Sequence, residues 1–389
     1  MTTIAGVEPR AVVEPRDRTE LAAIIGELYA GDRAFAFVGG GTELELGNAP
    51  RALDTVVRTT GCNRVIDYAP EDQTITVEAG MTIATLRSVL AEHGQFFAID
   101  VADAERSTVG GVIATNRYGR RRTRYGSIKD SIVGIEIVRP DGTVAHGGGK
   151  VVKNVAGFDI PKLMVGALGS LGAISAATFR VHPIDRECGA VVFRALDIAG
   201  VMQVSEAIVA AALVPTSIVA YDAADAYDCV VTFEGFARGV EAQVRSAAAI
   251  AEHLKVACAV LGASEREPYE LRERSVRATA PWRVVIGAAP QALGKFLASR
   301  AADGARTVFY PFLGAAFVAT DDLDASTISR WRSELRGGTV ILHAMPLQAR
   351  KTLDAWGPPP AAIAIMRRLK ANFDPKGLCN PGRFVGDHP

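Results

Sequence analysis

Apolar side chains recur at spacings of three and four residues near the start of the chain, which predicts an amphipathic helix. Asp17 or Thr19 can cap the start of this helix, and Gly31 stands where a helix commonly ends. A second stripe of the same kind predicts another helix that stops at Gly94. The apolar positions of the two helices are Leu21, Ile24, Ile25 and Leu28, then Ile83, Leu86 and Leu90.

Short apolar runs and alternating segments predict strands between and after these helices. Ala34–Val38 is a buried run that leads directly into Gly39-Gly40-Gly41-Thr42. Further strands are expected at Leu53–Val57 and at Thr74–Glu78, where apolar and polar residues alternate. This part of the chain therefore has the βαβ-like pattern of an α/β region, with a glycine-rich loop after its first strand.

The pattern becomes antiparallel after residue 130. A strand at Ser131–Val138, a turn at Pro140–Gly142 and a return at Thr143–His146 predict a hairpin. Asp159 can cap a helix that runs to Leu168, and a strand follows at Ala173–Val181. We expect two small lobes that face each other, with glycine-rich loops between them.

The elements expected in residues 187–333 begin in the order strand, helix, strand, strand, helix, which predicts an antiparallel sheet with helices on one face. A last helical stripe near the C-terminus carries Ala362, Met366, Leu369 and Phe373. The strands of this region are expected at 191–194, 217–221, 229–233, 282–286, 307–310 and 315–319, and its helices at 200–214, 240–254 and 325–335.

Composition restricts the class of protein. A chain of 389 residues is long enough for two or more domains. Its 43 basic and 43 acidic residues balance, so no net field favours nucleic acid as a partner. No apolar run is long enough to span a bilayer, and no secretory segment is expected at the start. The five cysteines have no C-x-x-C spacing, which is typical of reduced thiols and excludes a Cys-ligated iron–sulfur cluster within this chain.

Three glycine clusters carry the candidate chemistry: Gly39–Thr42, Ser107–Asn116 and Gly166–Gly172. Glycines let backbone N–H groups turn towards one point, and several such donors form a concavity suited to phosphate. Neither the G-x-G-x-x-G nor the G-x-x-x-x-G-K-[ST] fingerprint is present. We expect amides from the three clusters to converge on one diphosphate.

Four motifs occur in a familiar order: V-G-G-G-T at 38–42, T-V-G-G-V-I-A-T-N at 108–116, the segment R-Y-G-S-I-K-D-S-I at 124–132, and K-V-V-K-N-V-A-G-F-D at 150–159. Together they resemble the FAD-binding domain of the vanillyl-alcohol oxidase, or PCMH, type. With the terminal N-P-G-R of residues 380–383, they are similar to the small flavin-binding subunits of bacterial glycolate oxidase complexes. The resemblance implies an α+β chain with a two-lobed PCMH-type FAD-binding domain at 1–185, an antiparallel α+β cap domain at 186–345, and a tail at 346–389 that returns to the first domain.

The resemblance also implies the cofactor site. Non-covalent FAD is expected, because the position after Gly41 is Thr42, where covalent relatives place a His or Cys nearby. The pyrophosphate would lie on the first cluster, the flavin near the second and at Tyr125, and the ribose and adenine on the third. The implied residues are Gly39, Gly40, Gly41, Thr42, Ser107, Thr108, Gly110, Gly111, Ala114, Thr115, Asn116, Tyr125, Gly126, Gly169, Gly172 and Ile174.

No catalytic residue is assigned by these motifs; the candidates are His343, Arg124 and Arg283. His343 is the single His in the region where catalytic members carry a His-rich segment, so it is either a core residue or a base. Five arginines within residues 117–124 form either a solvated loop or a rim that steers anions or contacts a partner. Further candidates near the cofactor or a partner are Lys150, Lys153 and Asn154, with Trp282 beside Arg283 at the flavin edge.

The implied function is hydride transfer from a small 2-hydroxy acid to flavin, with electrons passed to a partner. The expected partners are a larger homologous flavoprotein and an iron–sulfur subunit, and the expected location is the cytoplasm or a membrane surface reached through those partners. Two alternatives stay open. In the first alternative, the chain is an assembly or electron-relay subunit with structural FAD. In the second, it is a free-standing FAD-dependent hydroxy-acid dehydrogenase.

Overall fold

A computed structural model describes residues 2–149, 159–299 and 305–386. Within these residues the chain forms two compact units. The first takes residues 2–118, 127–184 and 354–386, and the second takes 119–126 and 185–353. Lys150, Lys153 and Asn154 lie outside the described residues.

The strands are β1 Ala11–Val13, β2 Phe35–Val38, β3 Thr55–Arg58, β4 Val65–Ala69, β5 Thr74–Glu78, β6 Gln95–Phe96, β7 Ile132–Val138, β8 Val144–Gly148, β9 Ala173–Arg180, β10 His182–Pro183, β11 Glu187–Leu196, β12 Ser217–Ala223, β13 Ala226–Gly235, β14 Cys258–Leu261, β15 Trp282–Gly287, β16 Arg306–Tyr310, β17 Ala315–Thr320 and β18 Thr339–Ala344. The helices are α1 Arg18–Ala30, α2 Ile83–Ala91, α3 Val109–Thr115, α4 Arg122–Tyr125, α5 Ile128–Ser131, α6 Ile160–Met164, α7 Ile198–Ala210, α8 Ala237–Leu254, α9 Ala263–Ala278, α10 Pro290–Ala298, α11 Ala325–Glu334 and α12 Ile363–Phe373.

The first unit is built on two larger sheets. The order β1-β3-β2 forms a parallel sheet, and β4-β5-β9-β7-β8 forms an antiparallel one. Helix α1 begins at Asp17, whose side chain accepts a hydrogen bond from the Glu20 amide, and it buries Leu21, Ile25 and Leu28. One core cluster of this unit joins α2, α3 and the five-stranded sheet. The site described below lies in this unit.

The second unit is an eight-stranded antiparallel sheet in the order β14-β11-β13-β12-β16-β17-β15-β18. Helices α7 and α8 pack against β11 and β13, α9 packs against β12, β16 and β17, and α11 packs against β18. The antiparallel sheet was predicted, and the α+β fold class is confirmed. The alternation of buried and less buried residues in β15 and β18 is the pattern from which such strands can be read.

Several elements differ from the sequence prediction. The segment expected as a glycine loop around Gly110 is the helix α3, which buries Val109, Val112 and Ile113. Two glycines lower its intrinsic helix propensity, but burial of one apolar face outweighs that preference. Helix α6 ends at Met164 rather than Leu168, and β4, β14, α9 and α10 were not predicted. Helix α9 was missed because its sequence is strongly charged and contains Pro268.

Candidate functional site

One cavity of the first unit collects residues from all three glycine clusters. The empty space along its lining is about 860 Å³, a volume that includes open solvent. Twelve of the residues that the sequence singled out line it. They are Gly39, Gly40, Gly41, Thr42, Thr108, Gly110, Gly111, Ala114, Thr115, Gly169, Gly172 and Ile174.

The loop Gly39–Thr42 follows directly from β2 and brings unpaired main-chain donors to this cavity. Within the part of the chain that the structure describes, none of its four N–H groups has a hydrogen-bond acceptor. A side chain at Gly40 would collide with the carbonyl oxygen of Arg106, and Gly41 has a φ of +71°. Only glycine satisfies both conditions without strain. Such consecutive free amides suit a diphosphate.

Helix α3 contributes differently. The Val109 amide donates to the Met81 carbonyl (2.9 Å), and the Gly110 amide donates to the Ala79 carbonyl (2.7 Å). The Gly111 amide donates to Thr108 Oγ1, which caps the helix (3.3 Å). The prediction that the Gly110-Gly111 pair supplies donors to a diphosphate is therefore wrong, because these amides are already used. What α3 offers the cavity is a surface of very small side chains.

The third cluster is tied to the end of α3. The Gly166 amide donates to the Ile113 carbonyl (2.9 Å), and the Leu168 amide donates to the Ala114 carbonyl (2.8 Å). Gly172 has a φ of +138°, and a Cβ there would lie 2.5 Å from the Val138 carbonyl oxygen. The turn therefore places the 169–174 segment against the same cavity as α3.

Two buried guanidinium groups hold the first loop in place. Arg117 donates from Nε to Glu43 Oε1 (2.6 Å), and a second, shorter contact joins its Nη2 to the other carboxylate oxygen. Arg383 donates to the carbonyl oxygens of Leu44 (3.2 Å) and Leu46. These cations are engaged with the protein, whereas the amides of Gly39–Thr42 have no acceptor among the described residues.

Sequence reasoning gave no site role to Asn380 and Arg383, yet both line the cavity. The signal was present in the N-P-G-R motif, which supported the family resemblance only. Asn380 donates from Nδ2 to the Leu168 carbonyl, and its Oδ1 is buried without a partner among the described residues. Phe37, Glu43 and Met164 also line the cavity without having been predicted.

Four predicted cofactor residues do not line this cavity. Ser107 is buried beside it, with its Oγ 3.4 Å from Thr42 Oγ1. Asn116 ends α3 at a φ of +50°, and its Oδ1 is buried without a partner among the described residues. Tyr125 and Gly126 belong to the second unit. There the Tyr125 hydroxyl donates to Asp185 (3.0 Å), and burial raises the pKa of this tyrosine.

The three catalytic candidates lie in the second unit. His343 is on β18 beside Phe317, with ring centroids 6.5 Å apart. Arg283, the neighbour of the buried Trp282, donates to the Ala278 carbonyl (3.0 Å). Arg124 donates to the Glu234 carbonyl (2.5 Å). Each of the three thus has a contact with other residues of the same unit.

The arginine run is neither a solvated loop nor an open rim. Arg117 pairs with Glu43 as described, and three others form ion pairs within the second unit. These pairs are Arg120 with Glu270 (2.8 Å), Arg121 with Glu234 (2.8 Å) and Arg124 with Asp185 (3.4 Å). The paired arginine side chains are 9–29% exposed. The sequence did not predict these pairs, because the carboxylates are far away along the chain. Contact of the run with a partner stays a prediction.

Two kinds of feature are absent from the described residues. No group of three or more His, Cys, Asp or Glu side chains is arranged to hold a metal ion. No helix in these ranges combines the length and apolar character needed to cross a membrane.

Two segments of the first unit match known protein families. Residues 9–148 match the FAD binding domain, and residues 354–384 match the C-terminal domain of FAD linked oxidases. The cofactor is therefore FAD, as predicted. The free amides of Gly39–Thr42 and the small face of α3 fit a dinucleotide with a diphosphate at its centre.

Curated relatives are similar over part or all of the chain. The glycolate oxidase subunit GlcD of Bacillus subtilis is 31% identical over 175 residues, which is 45% of this chain and 37% of that protein. The D-lactate dehydrogenase of Archaeoglobus fulgidus is 33% identical over 46% of this chain and 42% of its own length. The mitochondrial D-2-hydroxyglutarate dehydrogenase of Bos taurus is 24% identical over 100% of this chain and 79% of its own length. The chain thus covers less than half of the first two relatives.

Solved structures show the same fold. Alkyldihydroxyacetonephosphate synthase superposes with a TM-score of 0.67 at 17% identity, covering 96% of this chain and 77% of its own. At this identity the likeness concerns the fold alone.

Proposed function

We propose that this chain is the FAD-binding subunit of a glycolate-type oxidoreductase that acts on the CH–OH group of a small 2-hydroxy acid. The observation that carries the proposal is the cavity of the first unit, where three distant glycine clusters meet and four consecutive amides remain free. The likeness to the glycolate oxidase subunit, to D-lactate dehydrogenase and to D-2-hydroxyglutarate dehydrogenase supports the reaction class.

The residues of the cavity suggest how the cofactor is bound. The amides of Gly39–Thr42 would hold the diphosphate, the small face of α3 would lie against a flat ring, and the segment 169–174 would take the adenosine half. Among the described residues that line the cavity there is no His or Cys, which supports non-covalent binding. FAD, when bound, supplies the acceptor for the hydride of the substrate.

The proposal also assigns a role to each part of the chain. Residues 1–185 and the tail 346–389 would bind the cofactor, and residues 186–345 would form the cap. The candidates for contact with the acid are His343 and Arg283, which lie within residues 186–345, and Arg124. A larger homologous flavoprotein and an iron–sulfur subunit would carry the electrons onward. Similarity to a glycolate oxidase subunit supports assembly with other subunits.

Anaerobic mixing tests the reaction. The FAD-loaded chain is mixed with glycolate, D-lactate or D-2-hydroxyglutarate, and the flavin absorbance band is followed. Bleaching by glycolate supports the proposal, and bleaching by another acid corrects only the substrate. An unchanged spectrum with all three acids, in a chain that has bound FAD, excludes independent oxidation by this chain.

Two other functions have support of their own. The pairing of Arg120, Arg121 and Arg124 with protein carboxylates favours an electron-relay or assembly subunit, because it occupies charges that a substrate carboxylate would use. Alignment with the D-2-hydroxyglutarate dehydrogenase of Xanthomonas citri over 98% of this chain and 90% of that protein favours a free-standing dehydrogenase. Purification from native cells separates them: a co-purifying larger flavoprotein supports the subunit, and an isolated active chain supports the dehydrogenase.

A further inference from the structure

The cavity contains an acceptor that the protein itself leaves unused. Asn380 is 6% exposed and lines the cavity, and its Oδ1 has no hydrogen-bond partner among the described residues. Buried polar atoms without partners are rare, because an unmade hydrogen bond carries the full desolvation penalty of the group. An orphaned atom in a ligand cavity therefore points to a donor on the ligand.

The hydrogen bonds of the Asn380 side-chain and main-chain nitrogens fix the orientation of the residue, so the side-chain atom that faces the cavity is the oxygen Oδ1. Its Nδ2 donates to the Leu168 carbonyl, which assigns the oxygen to the other side of the amide. Its main-chain N–H donates to the Phe35 carbonyl (2.7 Å), beside the bridge between Phe35 and Cys379. Its φ of +51° is one that Asn adopts more readily than most residues.

A buried ion pair links this residue to the third glycine cluster. Lys370 Nζ donates to Asp374 (2.6 Å), to the Ser170 carbonyl (2.9 Å) and to the Cys379 carbonyl (2.8 Å). Asp374 in turn accepts from the Cys379 amide (2.8 Å). The Lys370 and Asp374 side chains are 1% and 0% exposed. The pair therefore fixes the distance between Asn380 and the segment that begins at Gly169.

We propose that Asn380 determines cofactor specificity by accepting a hydrogen bond from the adenosine half of the bound dinucleotide. The assignment to this half rests on the function proposed above, in which residues 169–174 take the ribose and adenine. Adenosine offers two kinds of donor, the exocyclic amine and the ribose hydroxyls. Either donor can form a hydrogen bond to the buried carboxamide oxygen. A ligand group that carries only acceptors would leave this oxygen without a partner and would bind more weakly.

The test measures binding of FAD and of three analogues to the apoprotein by quenching of flavin fluorescence. One analogue carries hypoxanthine in place of adenine, so that a carbonyl replaces the amine, and the others carry 2′-deoxy or 3′-deoxy ribose. We expect wild type to bind one of these about tenfold more weakly than FAD, the size of one lost hydrogen bond. The analogue that is affected identifies the donor.

The variant Asn380→Gly removes the carboxamide and keeps a residue that accepts positive φ. We expect it to bind FAD about tenfold more weakly than wild type and to bind FAD and the affected analogue equally well. Equal binding of all four dinucleotides by wild type would overturn the inference, as would a variant that still discriminates. If the variant does not fold, the wild-type comparison decides alone. A wild-type chain that binds no FAD contradicts the proposed function instead.

Discussion

Two glycine-rich segments that look alike in the sequence differ in whether their amides are free to bind a ligand in the cavity. In Gly39–Thr42 the amides are free, and glycine at position 40 lets the loop pass close to the Arg106 carbonyl. In α3 the amides of Gly110 and Gly111 are bonded to Ala79 and to the Thr108 side chain. Glycine there allows close packing, since a Cβ at Gly110 would lie 3.0 Å from that of Ala79.

The difference shows that a glycine pair does not by itself indicate an anion site. Whether its amides bind a ligand depends on whether the fold provides other acceptors. The first segment leaves its sheet at the end of β2 and meets none, whereas the second begins a helix that packs against the turn after β5. The same cavity thus combines a loop whose amides are free donors with a helix whose first amides already have acceptors within the protein.

The largest expected effect is that of Gly40→Ala. The new methyl group would collide with the Arg106 carbonyl, so the loop must move and its amides lose their arrangement. Overpacking of this kind costs about 1–3 kcal/mol, and we expect FAD affinity to fall about 10- to 100-fold. Fluorescence titration measures it. Gly239→Ala is the control, because nothing lies within 4 Å of a Cβ at that position. FAD binding by Gly40→Ala at wild-type strength would contradict the role of the loop.

A smaller effect is expected from Thr108→Ala, which removes the cap of α3. Loss of such a cap lowers the free energy of unfolding by about 1 kcal/mol, and the affinity for FAD should fall less than in Gly40→Ala. Urea unfolding of the apoprotein measures the first quantity. Thr108→Ser keeps the hydroxyl and should restore most of the stability. If the alanine variant lost FAD affinity while keeping its stability, the Thr108 hydroxyl would contact the cofactor rather than cap α3.

The smallest effect concerns pH and the third glycine cluster. Cys379 donates to the Gly169 carbonyl (3.1 Å), and burial raises the pKa of its thiol from 9.0 to about 12. Because the folded-state pKa lies above the unfolded one, the thiol contributes stability that is complete below pH 9 and is lost as pH rises towards 12. At pH 9.5 the loss is about 0.8 kcal/mol.

Unfolding free energies at pH 8 and 9.5 check this for wild type and for Cys379→Ser, which removes the titrating thiol. The variant should show a shallower decline than wild type over that interval. Cys258→Ser is the matched cysteine-to-serine control, since Cys258 is exposed. Identical declines in wild type and Cys379→Ser would place that thiol in a different environment.

Much of the fold was predictable because local patterns specify it. The stripe from Leu21 to Leu28 gave α1 and its cap at Asp17, and the alternation in Thr74–Glu78 gave β5. The resemblance of four motifs gave FAD, and twelve of the sixteen cofactor residues do line one cavity. These successes depend on the order of residues within short segments, which the sequence contains in full.

What the sequence could not decide are interactions between residues that are distant along the chain. The ion pairs of Arg120 and Arg121, the Lys370 contact with Ser170 across 200 positions, and the use of the Gly110 amide by Ala79 all depend on which segments the fold brings together. The sequence alone determined the fold class and the cofactor, because propensities and motifs are local. Only the tertiary structure decided which donors and acceptors stay free for a ligand, because a hydrogen bond is satisfied or left open by neighbours in space.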